Sequence, residues 1–315
     1  MHRCTAALAA FALVLGGCAS PRSSPASTPS VGWPVTVTAA NGPVAIAARP
    51  VRILSLSASA TQMLYAIGAG PQVVAVDKYS IDPPQAPRTS MTGYEDSAES
   101  YLTVKPDLVI LASDAGGTLE AQLKALHVTT MLLPPATTLG DTYAQMRQLG
   151  AATGHTLAAG AAVAAVRARI AKIVATVGDR AKGLTYYQEL DNTLYTATSH
   201  TFIGELFGRL GMVNVADLAG KSSDYPQLSA EYLIQANPQY VFLADTVCCA
   251  QNAATFGARP GFDTLRAVRD GHVFPVTDSL ASEWGPRVAD FLATIADDIA
   301  PGSVTPTASP LGGLP

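Results

Sequence analysis

Charge is scarce in this chain. Only 14% of its 315 residues are Asp, Glu, Lys or Arg, the net charge is −4, and no basic run occurs. A nucleic-acid partner needs a basic stripe to neutralise phosphates, so none is expected. Cysteine is scarcer still, with four residues at positions 4, 18, 248 and 249. That spacing allows neither a disulfide framework nor a cysteine metal site. His127, His155, His200 and His272 lie far apart in sequence, without paired ligand spacing, so no resident metal or cofactor is expected. No G-x-S-x-G, no P-loop and no G-x-G-x-x-G opens a helix after a strand. Ser57, Ser199 and His200 have no evident orienting acid, so no catalytic residue is assigned and an enzyme is not expected. What the chain does have is 48% hydrophobic residues. That is enough for substantial cores.

The first residues read as an address. Arg3 makes a positive start, and residues 6–14 are apolar but too few to span a bilayer. The stretch ends in Leu15-Gly16-Gly17-Cys18, which resembles a bacterial lipobox. Residues 1–17 are therefore expected to be a lipoprotein signal peptide, with Cys18 lipidated and the protein held outside the cytoplasm on the membrane. Residues 19–34 are rich in Ser and Pro, and the span 18–50 is expected to be a flexible tether.

From Val51 onward, short aliphatic runs alternate with helix-period segments, the pattern of an α/β fold. Strands are expected at 52–56, 73–76, 107–112 and 129–133. Ser59 and Gln62 suggest a capping box ahead of Met63, Leu64 and Ile67 on one helical face. Residues 155–177 are dominated by Ala, with Val163, Val166, Ile170, Ile173 and Val174 on one face, predicting one long helix. The alternation then repeats, with strands expected at 184–190, 193–198, 240–244 and 273–276 and a last helix at 287–299. This gives an N-terminal α/β lobe (51–154), a linker helix (155–178), a C-terminal α/β lobe (179–300) and a disordered tail (301–315). LTVKPDLVILA and LIQANPQYVFLA, one in each half, look alike in kind.

VRILSLSASATQMLYAIGAG, VVAVDKYSIDPPQAP, SAESYLTVKPDLVIL, TFIGELFGRLGMVNVAD, YPQLSAEYLIQANPQYVFLAD and GPRVADFL follow one another in order. Together they resemble the helical-backbone class of solute-binding proteins of ABC importers, in the branch that carries cobalamin, ferric siderophores or haem. The resemblance implies two α/β lobes joined by one long helix, with the ligand in the cleft between them. It implies a bulky metal-chelate ligand, an iron complex or a corrinoid, with a cobalamin-specific protein as the narrower alternative. It also implies a permease dimer as partner and a monomeric receptor. In such proteins one acid on top of each lobe docks on permease arginines, and those acids correspond to Glu99 and Glu231. Both also suit the first turn of a helix, where the dipole favours an acid. The ligand wall is expected to include Ser57, Tyr79, Asp82 and Tyr94 from the first lobe. From the second it is expected to include His200, Phe202, Tyr225, Thr246 and Trp284, with Arg287 as an anion partner. Each aromatic could instead be core. Asp82 stands where the cobalamin-binding relative has an aromatic, which weakens that narrower assignment. Cys248 and Cys249 can close a vicinal disulfide in an oxidising location, or stay as two free thiols in a loop. A lipoprotein with a structural or enzymatic role is the alternative of another class.

Overall fold

A computed structural model describes residues 32–94 and 97–304. The signal segment, Cys18 and the end of the tail lie outside the described residues. Residues 35–46 fall in the span expected as tether, but they form a hairpin of β1 (Val35–Ala39) and β2 (Gly42–Ile46), with Val35 opposite Ile46. VTVTA and GPVAI alternate with period two. The Asn41-Gly42 step turns the chain, Gly42 taking a φ of +94° that a side chain would resist. The alternation puts Val37, Ala39, Val44 and Ile46 on one buried face, so the segment packs instead of swinging free. Asn41 fastens it. Its Nδ2 donates to Glu120 Oε1 at 2.9 Å, and its Oδ1 accepts from Leu132 N at 3.1 Å.

The first sheet contains β3 (Ile53–Leu56), β4 (Val73–Val76), β5 (Leu108–Leu111) and β6 (Thr129–Leu132), parallel, in the order β4-β3-β5-β6. The central strands β3 and β5 are buried at every residue. Covering helices on both faces of a parallel sheet explain their unbroken aliphatic sequence. Between the strands run α1 (Ala58–Ala66), α2 (Ala98–Tyr101) and α3 (Thr118–Ala125), and α4 (Leu139–Thr153) follows β6. The cap of α1 is Ser57 and not Ser59. Ser57 has extended backbone angles, and its Oγ accepts from Ala60 N at 3.2 Å. Ser59 already lies inside the helix and is buried.

The expected long helix is α5 (Thr156–Val177). Its 22 residues make a rod about 33 Å long. Ala159, Ala162, Val163, Val166, Ile170, Ile173 and Val177 are buried at three- and four-residue spacing. Beyond it come β7 (Thr185–Glu189), α6 (Phe202–Arg209), β8 (Val213–Asn214), α7 (Ala230–Ala236), β9 (Tyr240–Leu243), α8 (Ala253–Gly257) and α9 (Arg266–Arg269). Then follow β10 (Val273–Pro275), α10 (Asp278–Ser282) and α11 (Val288–Ile299). The expected strand at 193–198 is not one. That stretch makes one isolated bridge, Tyr195 to Gln227, and its backbone bonds go to loop carbonyls of Pro226 and Asp224. The short β8 takes the edge of the sheet instead.

The second sheet is also parallel and runs β8-β7-β9-β10. Both sheets thus place their second strand outside the first, then add the third and fourth on the other side. The likeness between the two sequence halves reflects this shared topology. The main core is continuous across both halves. It joins Ile53 and Leu64, through Val163, Ile170 and Ile173 of α5, to Phe207, Phe242 and Phe291. Separating the halves would expose that core, so the hydrophobic effect favours a largely fixed cleft.

Candidate ligand-binding site

Parallel sheets leave a crevice outside the carboxyl ends of their strands. In the first half β3, β4 and β5 end at Leu56, Val76 and Leu111, and the chain passes to Ser57, Asp77 and Ala112. A recess of about 280 Å³ opens there, lined by Ser57, Ser59, Asp77, Tyr79 and Tyr94 and closed by Ser282 at the end of α10 and by Glu283 and Trp284 just beyond it. A larger cavity, about 620 Å³, follows α5 between Tyr143, Arg167 and Arg209 and shares no lining residue with the recess. The recess, unlike that cavity, sits on strand ends.

Asp77 shapes one wall by accepting from Tyr79 N at 3.0 Å and Ser80 N at 2.7 Å through Oδ1. This turn presents Tyr79, half exposed at 51%, and Tyr94 is more exposed still at 69%. The Lys78 ammonium sits over the Tyr79 ring, 4.9 Å from its centroid, whereas Tyr94 leaves apolar ring surface open to water beside the recess. Trp284 is fixed on three sides. Its backbone N donates to Ser59 Oγ at 3.0 Å, its indole Nε1 donates to Gln145 Oε1 at 2.9 Å, and its carbonyl accepts from Thr142 Oγ1 at 2.9 Å. Those bonds pin a segment from the end of the chain onto α1 and α4 of the first half.

The recess is acidic. Its charged lining residues are Asp77 and Glu283. Burial pushes the Glu283 carboxyl up to about 8, reinforced by the nearby charges of Asp82 and Asp77 and opposed by Arg287. Burial also raises Asp77, against its hydrogen bonds from Ser80 and Tyr79. Gln62 Nε2 donates to Glu283 Oε2. Asp82 is not free to meet a ligand, because its Oδ2 is paired with Arg287 Nη1. Arg287 Nε also lies 3.5 Å from Asp290 Oδ2, and Arg169 on α5 pairs with Asp290 Oδ1. The expected anion partner is thus already committed to carboxylates of both halves, and the chain of charges ties α5, α11 and the first half together.

The structure brings Ser57, Tyr79, Tyr94 and Trp284 into one recess and sets Asp82 and Arg287 close by. His200, Phe202, Tyr225 and Thr246 do not line it. Phe202 opens α6 and is buried in the core, because its neighbours on that helix face are Leu206 and Phe207. Thr246 Oγ1 donates to Asp278 Oδ1 at 3.0 Å. His200 is exposed beside Asp224 at 3.7 Å, and Tyr225 is half exposed at 51%. Cys248 and Cys249 are free thiols, with Sγ atoms 2.6 Å apart. Sequence reasoning missed Asp77, Ser59 and Glu283. Asp77 had a usable signal, as the first residue after an aliphatic strand. Glu283 had none beyond adjacency to Trp284.

Glu99 and Glu231 occupy equivalent places. Each is exposed in the first turn of a short helix, α2 or α7, capped by Ser97 or Ser229. Each helix is followed by a left-handed residue, Lys105 at φ +48° or Asn237 at φ +47°, and then by a proline before β5 or β9.

Comparison with known proteins agrees with this architecture. A sequence profile of the periplasmic binding protein family matches residues 53–280. The chain belongs to that family. Similar proteins include the ABC transporter substrate-binding lipoprotein YvrC of Bacillus subtilis, 27% identical over 94% of this chain and 96% of its own length. A cobalamin-binding protein of Halobacterium salinarum is 29% identical, covering 84% of this chain and 74% of its own. Among solved structures, the periplasmic vitamin B12-binding protein BtuF of Vibrio cholerae superposes with a TM-score of 0.63 at 25% identity, over 80% of this chain and 98% of its own. The periplasmic haem-binding protein RhuT of Roseiflexus sp. RS-1 reaches 0.69 at 23% identity, over 80% and 98%. It shares the fold.

Proposed function

We propose that this protein is an extracytoplasmic solute-binding lipoprotein, held by a lipid on Cys18, that captures a bulky metal chelate and delivers it to an ABC importer. One observation carries the reading. The strand-end recess is bordered by the partly exposed rings of Tyr79 and Tyr94 and by Trp284, whose position is fixed before any ligand arrives. Aromatic surface with few polar anchors suits a large, flat ligand in a preformed cleft. The continuous core between the halves supports capture with little closure. Glu99 and Glu231, alike in exposure and helix position, are the acids that dock on the permease.

Within metal chelates, charge favours a corrinoid over haem or an acidic ferric siderophore. The lining residues include no lysine or arginine, and Arg287 is held by Asp82 and Asp290. A ligand bearing carboxylates would find no cation among those lining residues to pair with. The cobalamin-binding name of the Halobacterium relative points the same way.

Only the folded cleft binds, so a true ligand raises thermal stability by mass action. Cobalamin, haem and a set of ferric siderophores should be compared by thermal shift and absorption titration. Cobalamin is expected to bind most tightly. Tighter binding of haem or a siderophore would move the assignment within the class. If no chelate binds more tightly than about 100 μM, the chelate-carrier reading fails.

A further inference from the structure

Cys248 and Cys249 lie in the loop after β9 and outside the recess. Cys248 is exposed and Cys249 partly so. Their sulfurs are 2.6 Å apart, well inside van der Waals contact and not far from the roughly 2.0 Å of a sulfur–sulfur bond. Backbone anchors hold them there. The Asp278 carboxylate accepts from Val247 N and from Cys248 N, each at 3.0 Å. Cys249 N donates to Asp245 O at 3.2 Å, and the Cys249 carbonyl accepts from Gln251 Nε2 at 3.0 Å. Ala250 ends the turn in a left-handed conformation, at φ +54°, which an alanine adopts only when its surroundings impose it. No cluster of three metal-ligating side chains exists among the described residues, so the pair is not part of a larger metal site. What the loop offers is two solvent-accessible thiols already turned toward each other.

We propose that Cys248 and Cys249 are a reversible dithiol–disulfide site, whose reaction partners are disulfide oxidants and dithiol reductants. Desolvation, the adjacent Cys249 sulfur and the carboxylates of Asp278 and Asp245 push the Cys248 thiol up to about 12. Either thiol can open the exchange, and the bonds balance the same way whichever does. When Cys249 opens it, its thiol gives a proton to solvent and its sulfur attacks one sulfur of a disulfide R–S–S–R, whose bond breaks as one R–S⁻ departs and is protonated. Cys249 is then held in a mixed disulfide. Cys248 then gives its proton to solvent and attacks the Cys249 sulfur, expelling the second R–S⁻, which is protonated in turn. Two S–H bonds and one S–S bond are exchanged for one S–S bond and two S–H bonds, and two electrons pass to the oxidant. A ring closed between adjacent residues is strained, and strained exposed disulfides are the readily reduced ones. The site therefore cycles with its redox surroundings and does not serve as a permanent staple.

The test treats the full chain with oxidised glutathione, blocks remaining thiols with an alkylating agent, and reads the peptide carrying both cysteines by mass spectrometry. The expected product is lighter than the dithiol by two hydrogens and carries no label. Dithiothreitol should restore two labels. In Cys248→Ser the reaction should stop as a persistent glutathione adduct on Cys249, because the resolving thiol is missing. Full alkylation of both thiols in the wild-type protein would overturn the proposal. So would a stable glutathione adduct on the wild-type pair, or disulfide-linked dimers through these residues, since each shows that the sulfurs cannot close on one another.

Discussion

Replacing Glu283 by Gln isolates the electrostatic cost of the acidic recess. The carboxyl is pushed up to about 8 in the folded protein, first by burial and then by Asp82 and Asp77. In the unfolded chain it ionises in the ordinary range of about 4.3. Between those two values the folded state holds a proton that the unfolded state has released. Stability therefore falls as pH rises through this window, by up to about 1.4 kcal/mol per pH unit, and the slope ends above the folded value. From pH 5 to pH 8 the loss amounts to about 3.5 kcal/mol, or about 2 kcal/mol allowing for the solvent that still reaches the site. Glutamine cannot ionise, yet its carbonyl can keep the bond from Gln62 Nε2. Urea denaturation of both proteins across this range should show their stabilities diverging as pH rises, with Glu283→Gln the more stable at pH 8. Some decline will persist in the variant, because burial pushes Asp245 and Asp298 up to about 7 with the same sign. Parallel curves for the two proteins would refute the reasoning and mean that Glu283 is ionised in the fold at neutral pH.

Reversing Glu99 and Glu231 to Lys together should leave chelate affinity unchanged but abolish uptake, because like charges facing permease arginines cost several kcal/mol. Cellular uptake beside a binding titration checks this, and either single reversal should give a partial defect. Trp284→Ala should weaken chelate binding by about 2 kcal/mol, roughly thirtyfold in Kd, measured by absorption titration, and normal affinity would remove Trp284 from the ligand wall. Arg287→Met should lower unfolding free energy by about 3 kcal/mol, measured in urea, because it strands Asp82 and removes one partner of the buried Asp290.

Much of this protein is legible in its residues taken in order. The aliphatic runs at β3, β5 and β9 announce strands buried on both faces, and the alanine-rich stretch without proline announces α5. These features follow from local periodicity and backbone preference, which a sequence carries directly. So do the serine-capped helices that present Glu99 and Glu231, since a cap and its helix are neighbours in the chain. The hairpin at 35–46 was legible too, in its alternation and its Asn41-Gly42 turn, but the Ser- and Pro-rich stretch before it masked the signal.

Only the tertiary structure decided the composition of the recess. Trp284 and Glu283 meet Ser59 and Gln62 across more than two hundred residues, and no periodicity encodes a contact of that separation. Folding also decided which polar groups remain available. Arg287 and Asp82 look like ligand partners in sequence, yet they satisfy each other, because a charge removed from water takes the nearest opposite charge. Phe202 went to the core and Tyr79 to the rim for the same kind of reason. The sequence by itself determined two like α/β halves, the helix between them and the pair of exposed acids. Which side chains face the cleft was settled only when the strand ends, the final loop and the continuous core came together in space.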